Sequence, residues 1–463
     1  MDTATTEAWA ALGADAELLE RVSCAPAPGA LPARLPVMAQ ARATVAVCSL
    51  AAAELAAVRG GGGPVPSVRV DDGAVATAFR SERFVRLDGW AWDGFASLSR
   101  FWRTADGWVR THANYPHHRE RLTSVLGLPA DADPEAVAGA LAERRAVEVE
   151  AAVYGAGGPA VAVRDAGAWA AEEQGALVAR APLLTLGRLG DAPGPVPPTA
   201  GGGGGGLPCA GVRVLDLTRV LAGPIATRTL ALLGADVLRV DAPQLPESQG
   251  AHHDTGLGKR SALLDLGAAA DRRTFDELVA RADVVVTGYR PGALDRFGLT
   301  PEALAARRPG LVVARLSAWG RYGPWGARRG FDSLVQAATG IALLEGSPDA
   351  PGALPAQALD HGTGYLLAAA VLRALTERHR GGGTWHAEAA LAQTAHWLLH
   401  APDAEPSPEG GGVPYTPEPY LRERDTPLGR LRHAGSPVTY EGGPTDWARP
   451  PGRWGADAPR WLS

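Results

Sequence analysis

VRVLDLTRVLAGPIATRTLALLGADVLRVD, residues 212–241, decides the fold. Residues 212–217 form an apolar, β-branched run that reads as a strand. Ala222-Gly223-Pro224 turns the chain into a helical pattern over residues 225–233, which Gly234 stops. Residues 235–241 read as a second strand. Strand, helix and strand within about 30 residues make one βαβ unit with a parallel pair. The alternation continues with helix 271–281, strand 284–286, helix 301–307 and strand 311–316. This predicts an α/β class, a doubly wound, Rossmann-like parallel sheet over residues 207–400. Ligands of such sheets bind beyond the carboxyl ends of the strands. Those ends fall at residues 218–221, 241–243, 287–290 and 317–320.

Upstream, residues 189–206 combine spaced prolines with six glycines and read as a linker. Residues 1–188 have a different, α+β character. A helix is expected at 41–58, a short strand at 67–70, helical segments at 73–86, 120–126, 134–144 and 146–152, and a strand at 160–163. Between them, Trp90, Trp92, Phe95, Phe101, Trp102 and Trp108 cluster, which suits core or a domain contact. His112, His117 and His118 follow. Adjacent histidines diverge on a helix, so surface or capping roles are expected rather than a metal site. Downstream, residues 401–463 are rich in Pro, Gly, Asp and Arg and are expected to wrap loosely over other surfaces, or to be partly disordered.

The chain has 463 residues, 46% hydrophobic and 21% charged, so a packed protein of two or three domains is expected. A net charge of −5 gives no basis for a nucleic-acid partner. Three scattered cysteines suit a reducing cytoplasm. The opening segment lacks the charged and apolar regions of a secretory signal, and no 18-residue uncharged apolar run suggests a membrane span. Lys259 is the sole lysine, so position 259 either reflects composition bias or requires a compact ammonium.

LPAQALDHGTGYLL, residues 354–367, brings one carboxylate, Asp360, up to an Ala/Leu-rich helix expected over 365–378. Just before that helix, free N–H groups and the dipole would hold Asp360 ionised, either as a cap or as a nucleophile. Backbone N–H groups around His361 and Gly362 would stabilise an oxyanion. The stretch also has an echo. Residues 49–80 and 365–399 share an Ala-rich helix, an arginine, a glycine run, a strand and a second helix. Aligning Arg59 with Arg380 sets Ala39 opposite Asp360, so the first copy lacks the carboxylate.

VRVLDLTRVLAGPIATRTLALLGADVLRVDAP, GKRSALLDL, ADVVVTGYRPGALDRFGL and the Asp360 segment, in this order and spacing, resemble class III CoA-transferases, the CaiB/BaiF group, over about residues 211–399. The region 46–185 resembles a divergent part of the same family, with DGWVRTHANYPHHRERLTSVLGL similar to the start of its small domain. The arrangement looks fused or permuted. The resemblance implies that Asp360 carries the acyl group and that coenzyme A is a substrate. It implies CoA contacts at Val220, Ala222, Arg239, Gly288, Tyr289 and Arg296, and Lys259 and Arg260 of GKRS are further phosphate candidates. It implies acyl-CoA and a carboxylic acid as partners, and either a homodimer or an internally completed pseudo-dimer. No metal, membrane or nicotinamide is implied, since AGP replaces the GxGxxG pattern. Two departures bear on substrate: Leu221 stands where oxalate-type members carry glutamine, and Phe331 where the racemases of the family carry histidine. A 2-methylacyl-CoA racemase and a non-catalytic acyl-CoA-binding protein are the alternative readings.

Overall fold

The fold is that of a computed structural model, which describes residues 2–92, 94–194, 206–401 and 414–462. Its centre is a seven-stranded sheet of β1 (Leu184–Gly190), β2 (Arg213–Leu217), β3 (Asp236–Asp241), β4 (Arg260–Leu263), β5 (Val284–Thr287), β6 (Val312–Ser317) and β7 (Thr384–Ala390), in the order β4-β3-β2-β5-β6-β7-β1. β2 to β7 are parallel throughout, and only β1 runs antiparallel, along β7. The chain order reverses between β2 and β5. That point is the crevice of a doubly wound sheet. The parallel second half is thus as read from the alternation of strands and helices.

The helices that place the site are α1 (Val37–Arg59), α2 (Ser81–Phe84), α3 (Pro116–Leu126), α4 (Ala222–Leu232), α5 (Gln249–Thr255), α6 (Ala269–Ala280), α7 (Pro301–Arg307), α8 (Asp332–Thr339), α9 (Ala358–Gly381) and α10 (Leu391–Leu399). α9 starts seven residues before the stretch expected from its Ala/Leu content, because the cap of its first turn comes from another element. It is buried along nearly all its length between α4 and α1. Gly364 permits the first of these contacts: a Cβ there would lie 2.6 Å from the Ala222 carbonyl oxygen and 3.0 Å from Ile225. α1 is long and apolar enough to cross a membrane by length and composition, yet it lies mostly buried, packed on α9. Its charged side chains are paired there, Glu54 with Arg373 of α9 at 2.7 Å and Arg42 with Asp72 at 2.7 Å. The two stretches with similar sequence therefore pack against each other through their long helices.

Two boundaries differ from expectation. The linker edge at residue 189 falls inside β1, which closes the edge of the main sheet, so the region 1–188 and the sheet share one core. Residues 195–205 of the Pro/Gly segment lie outside the described residues. Residues 414–462 form a strap rather than a loose tail. Strands Leu421–Thr426 and Gly429–Ala434 make a hairpin that adds to Arg86–Leu87. Beyond it, tryptophan indoles pin the strap down: Trp447 donates to Arg228 O at 2.8 Å, Trp454 to Asp241 Oδ2 at 2.9 Å, and Trp461 to Leu278 O at 3.1 Å. An aromatic ring with one polar edge suits a strap laid over an apolar surface that still presents acceptors.

Gly364→Ala is expected to force α9 and α4 apart, since a backbone oxygen cannot move aside as a side chain would. The cost of such overpacking is about 1–3 kcal/mol. Chemical denaturation of the two proteins checks this; an unchanged midpoint would mean the helix contact is not tight.

Candidate active site

Asp360 lies in the first turn of α9, not ahead of it, and is 6% exposed. Its own carboxylate does not cap the helix. Asp332, the first residue of α8, does so instead: its Oδ2 accepts the Asp360 N–H at 2.9 Å, and Gln336 donates to its other oxygen. Two acids thereby meet at one helix start. Glu82 of α2 joins them from the N-terminal region, 3.2 Å from His361 Nε2, and His361 stacks on Phe79 at 5.2 Å.

The electrostatics follow from this crowding. Burial pushes the Asp332 carboxyl up to about 6, opposed by the N–H groups it accepts and by Gln336. Burial raises the Asp360 carboxyl well above the usual carboxylate range, and the charges of Asp332 and Glu82 raise it further. The expectation that the helix start keeps Asp360 ionised is therefore corrected. The dipole acts on it, but desolvation and two like charges are larger.

Around Asp360 the cleft has distinct parts. A narrow cavity of about 160 Å³ at the sheet crevice is lined by Val220, Ala222, Gly288, Tyr289 and Asp360. The structure thus brings five of the expected residues together. Val220 holds the turn between β2 and α4 at φ 71°. That conformation is strained for a β-branched residue and typical of a site whose surroundings over-determine it. The turn is anchored by Asp216, which accepts from Thr218, from Thr227 and from Lys259 Nζ at 3.0 Å. Beyond Tyr289, an outer cavity of about 630 Å³ is lined by Asp241, Leu266, Tyr289, Arg290 and Arg296. Beside it, a third space of about 600 Å³ is lined by Arg121, Arg290, Arg328 and Arg329. On the other side of Asp360 lies a chamber of about 830 Å³, which Tyr115, Val220, Phe331 and Asp360 share with the narrow cavity.

Several expected roles do not survive. Lys259 is 2% exposed, its ammonium held by Asp216 and, at 2.9 Å, by the Pro224 carbonyl. It fastens the β2–α4 turn instead of meeting a phosphate. A guanidinium would not fit that compact site, which accounts for the one lysine. Arg239 is 0% exposed, pinned between Asp241 at 2.7 Å and Glu247 at 3.3 Å. Arg260 pairs with Asp236 at 2.8 Å and donates to the Arg460 carbonyl of the strap. All three are already neutralised. The His361 N–H donates to Gln357 O at 3.0 Å, and Gly362 lies inside α9, packed towards Thr44 and Thr394. Their N–H groups belong to the helix, so no oxyanion hole forms there.

Other residues escaped the sequence reading. Arg290 and Arg329 have, among the described residues, no carboxylate within ion-pair distance. Burial and the neighbouring charges of Arg121 and Arg290 push the Arg329 guanidinium down. Cations crowded together without acids make an anion site. The signal was present in the paired Arg328-Arg329 ahead of Asp332, but distance along the chain hid Arg121. His112 and His118, expected at the surface, are buried in the cleft wall. The His112 ring stacks on Phe331 at 3.5 Å, and burial and Arg110 press its pKa down to about 3.

Comparison with known proteins falls on this same region. Residues 209–415 match the model of CoA-transferase family III. That segment, just under half of the chain, is what is similar to the family. The acetyl-coenzyme A transferase nodX of Hypoxylon pulicicidum is 33% identical over 237 residues, 49% of this chain and 38% of that protein. A probable fatty acyl-CoA transferase of Mycobacterium tuberculosis is 37% identical over 192 residues, 38% of this chain and 48% of that protein. A solved structure of a CAIB/BAIF family protein from Brucella suis shares 33% identity over 42% of this chain and 56% of that one, with a TM-score of 0.39. The chain spans about half or less of the length of these two curated relatives.

The raised carboxyls set the pH dependence. A group whose folded pKa is raised holds its proton more tightly in the folded protein than in the unfolded chain. Its stabilising contribution is present below the unfolded carboxylate pKa of about 4 and is lost as pH rises through the folded values. Asp360→Asn should therefore raise the melting temperature at neutral pH relative to the parent, with the gap closing towards about pH 4. Calorimetry across that range checks this, and a variant less stable at neutral pH would contradict the assignment.

Proposed function

We propose that the protein moves CoA between an acyl-CoA thioester and a carboxylic acid, with Asp360 as the covalent carrier. The observation that carries this is the position of one desolvated carboxylate where a narrow cavity from the sheet crevice meets a larger chamber. The ionised Asp360 oxygen attacks the donor thioester carbonyl. The C–S bond breaks, CoA leaves as its thiolate, and an acyl–aspartyl anhydride remains. The thiolate then attacks the aspartyl carbonyl, releasing the donor carboxylate and leaving an aspartyl-CoA thioester. The acceptor carboxylate runs the two steps in reverse. Anhydride and thioester both hydrolyse readily, so burial of Asp360 protects them. Its raised pKa makes the carboxylate a stronger nucleophile once ionised. Removing the Asp332 charge lowers that pKa.

CoA fits the cavities on the crevice side. Adenosine would lie in the outer cavity against Tyr289, with Arg296 at its edge. The phosphates would meet Arg121, Arg290 and Arg329, and the pantetheine would pass Val220 and Gly288 to reach Asp360. The cations assigned to phosphate are thus the ones without acid partners, in place of Lys259, Arg239 and Arg260.

The racemase reading needs a second base facing the substrate. The wall does hold His112, brought in from the N-terminal region beside Phe331. Its strongly lowered pKa makes its imidazole a poor proton acceptor, which favours transfer over racemisation.

Asp360→Asn should lower CoA transfer by about 10³-fold or more, the usual scale for losing a covalent nucleophile. Hydroxylamine added with acyl-CoA should leave a hydroxamate on Asp360, seen by mass spectrometry. Transfer by the Asn variant near the parental rate would refute the carrier role. Arg290→Ala and Arg329→Ala should raise the KM for acyl-CoA about tenfold each, the scale of one lost charge-assisted contact. The effect should shrink at high salt, and Lys259→Met should lower stability by about 3–5 kcal/mol because it strands the buried Asp216 carboxylate.

A further inference from the structure

The chamber beyond Asp360 differs in chemistry from the crevice side. At about 830 Å³ it falls in the upper part of the range of about 300–1,000 Å³ that encloses drug-sized ligands. A short-chain acyl group would leave most of it to water. Its apolar wall includes Val85, Trp92, Phe95, Leu221 and Phe331. Apart from Asp360, the acids in the wall already have partners, Glu82 among them with His361 Nε2 at 3.2 Å. Glu247 is held by Arg219 at 3.3 Å, Asp254 by Arg228 at 2.8 Å, and Asp332 by the start of α9. Among the described residues, the only arginines in the wall are Arg83 and Arg86. Arg83 is exposed, and Arg86 donates to the carbonyls of Arg83 and Val85. A substrate with a second carboxylate would therefore enter a space with an acidic field and no free buried cation to receive it. Desolvating an unpaired charge there is costly.

Resting on the carrier role of Asp360, we propose that the chamber binds the acyl group of a large, uncharged, apolar monocarboxylic acid, long-chain or polycyclic, and excludes short dicarboxylates. Such a substrate buries apolar carbon against the aromatic wall while its carboxyl carbon reaches Asp360. Val85, Trp92 and Phe95 come from the N-terminal region, so that region sets acyl specificity.

The full chain is assayed with lauroyl-CoA and succinyl-CoA as donors to acetate. The expected result is kcat/KM at least about tenfold higher for lauroyl-CoA, the scale on which hydrophobic pockets discriminate. Equal values, or preference for succinyl-CoA, would overturn the substrate class while leaving CoA transfer intact. Binding separates the two ideas further. S-dodecyl-CoA, a thioether that cannot transfer, should bind at least about tenfold tighter than CoA whether or not any donor turns over; equal affinity overturns the chamber assignment. Ala251 lies in the chamber wall. Ala251→Trp, or the milder Ala251→Leu, should lower the S-dodecyl-CoA affinity and leave that of CoA itself unchanged. An unaltered ratio in a folded variant overturns the proposal.

Discussion

The site depends on one hydrogen bond, from the Asp360 N–H to the Asp332 carboxylate. A helix start leaves N–H groups unsatisfied, and a carboxylate is their strongest neutralising partner. By supplying that partner from α8, the fold frees Asp360 from capping duty and lets its side chain face the cleft. The same arrangement places two acids together in a dry site and so raises the Asp360 pKa. Stability and reactivity are set against each other there. The charged form that would attack a thioester is the one the folded protein holds least comfortably.

The turn opposite is held just as firmly. Asp216, with Thr218, Thr227 and Lys259, forms a buried polar knot under the β2–α4 loop. Such a network rigidifies when every member is satisfied. It keeps Val220 at a positive φ, close over the crevice. Gly364 then lets α9 settle against α4, which brings Asp360 to the same place. Fixing a buried carboxylate and a strained turn on separate rigid elements is how a fold holds groups in register.

The N-terminal region is part of the site rather than an appendage. α1 packs along α9, and the pair of Glu54 with Arg373 crosses that contact. α2 contributes Glu82, the segment leading into α3 brings His112 and Tyr115, and the first turn of α3 brings His118. The C-terminal strap ties the other side through the Trp447, Trp454 and Trp461 indoles. The domain edges drawn from composition cut across these contacts, because proline and glycine content reports chain flexibility and not which surfaces meet.

Read alone, the sequence determined the periodic part of this protein. Apolar strands of four to seven residues alternating with helices announce a doubly wound sheet, and the ligand-facing ends of β2 and β5 follow from its topology. That Val220, Gly288 and Tyr289 lie at strand ends on the ligand side was legible for that reason, and the resemblance added Asp360 and Ala222, which line the same cavity. The first helical turn of α9 was not, because its cap comes from Asp332, outside the local pattern. Nor was the fate of the cations. Arg239, Lys259 and Arg260 look free in one dimension, but Asp241, Asp216 and Asp236 neutralise them in three. Arg121, Arg290 and Arg329 look ordinary and, among the described residues, turn out to have no acid partner. A charge is available for a ligand only when no partner has already claimed it, and partners are decided by tertiary contact. The same holds for the large chamber beside Asp360: its walls come from segments more than a hundred residues apart, and only packing makes them one space.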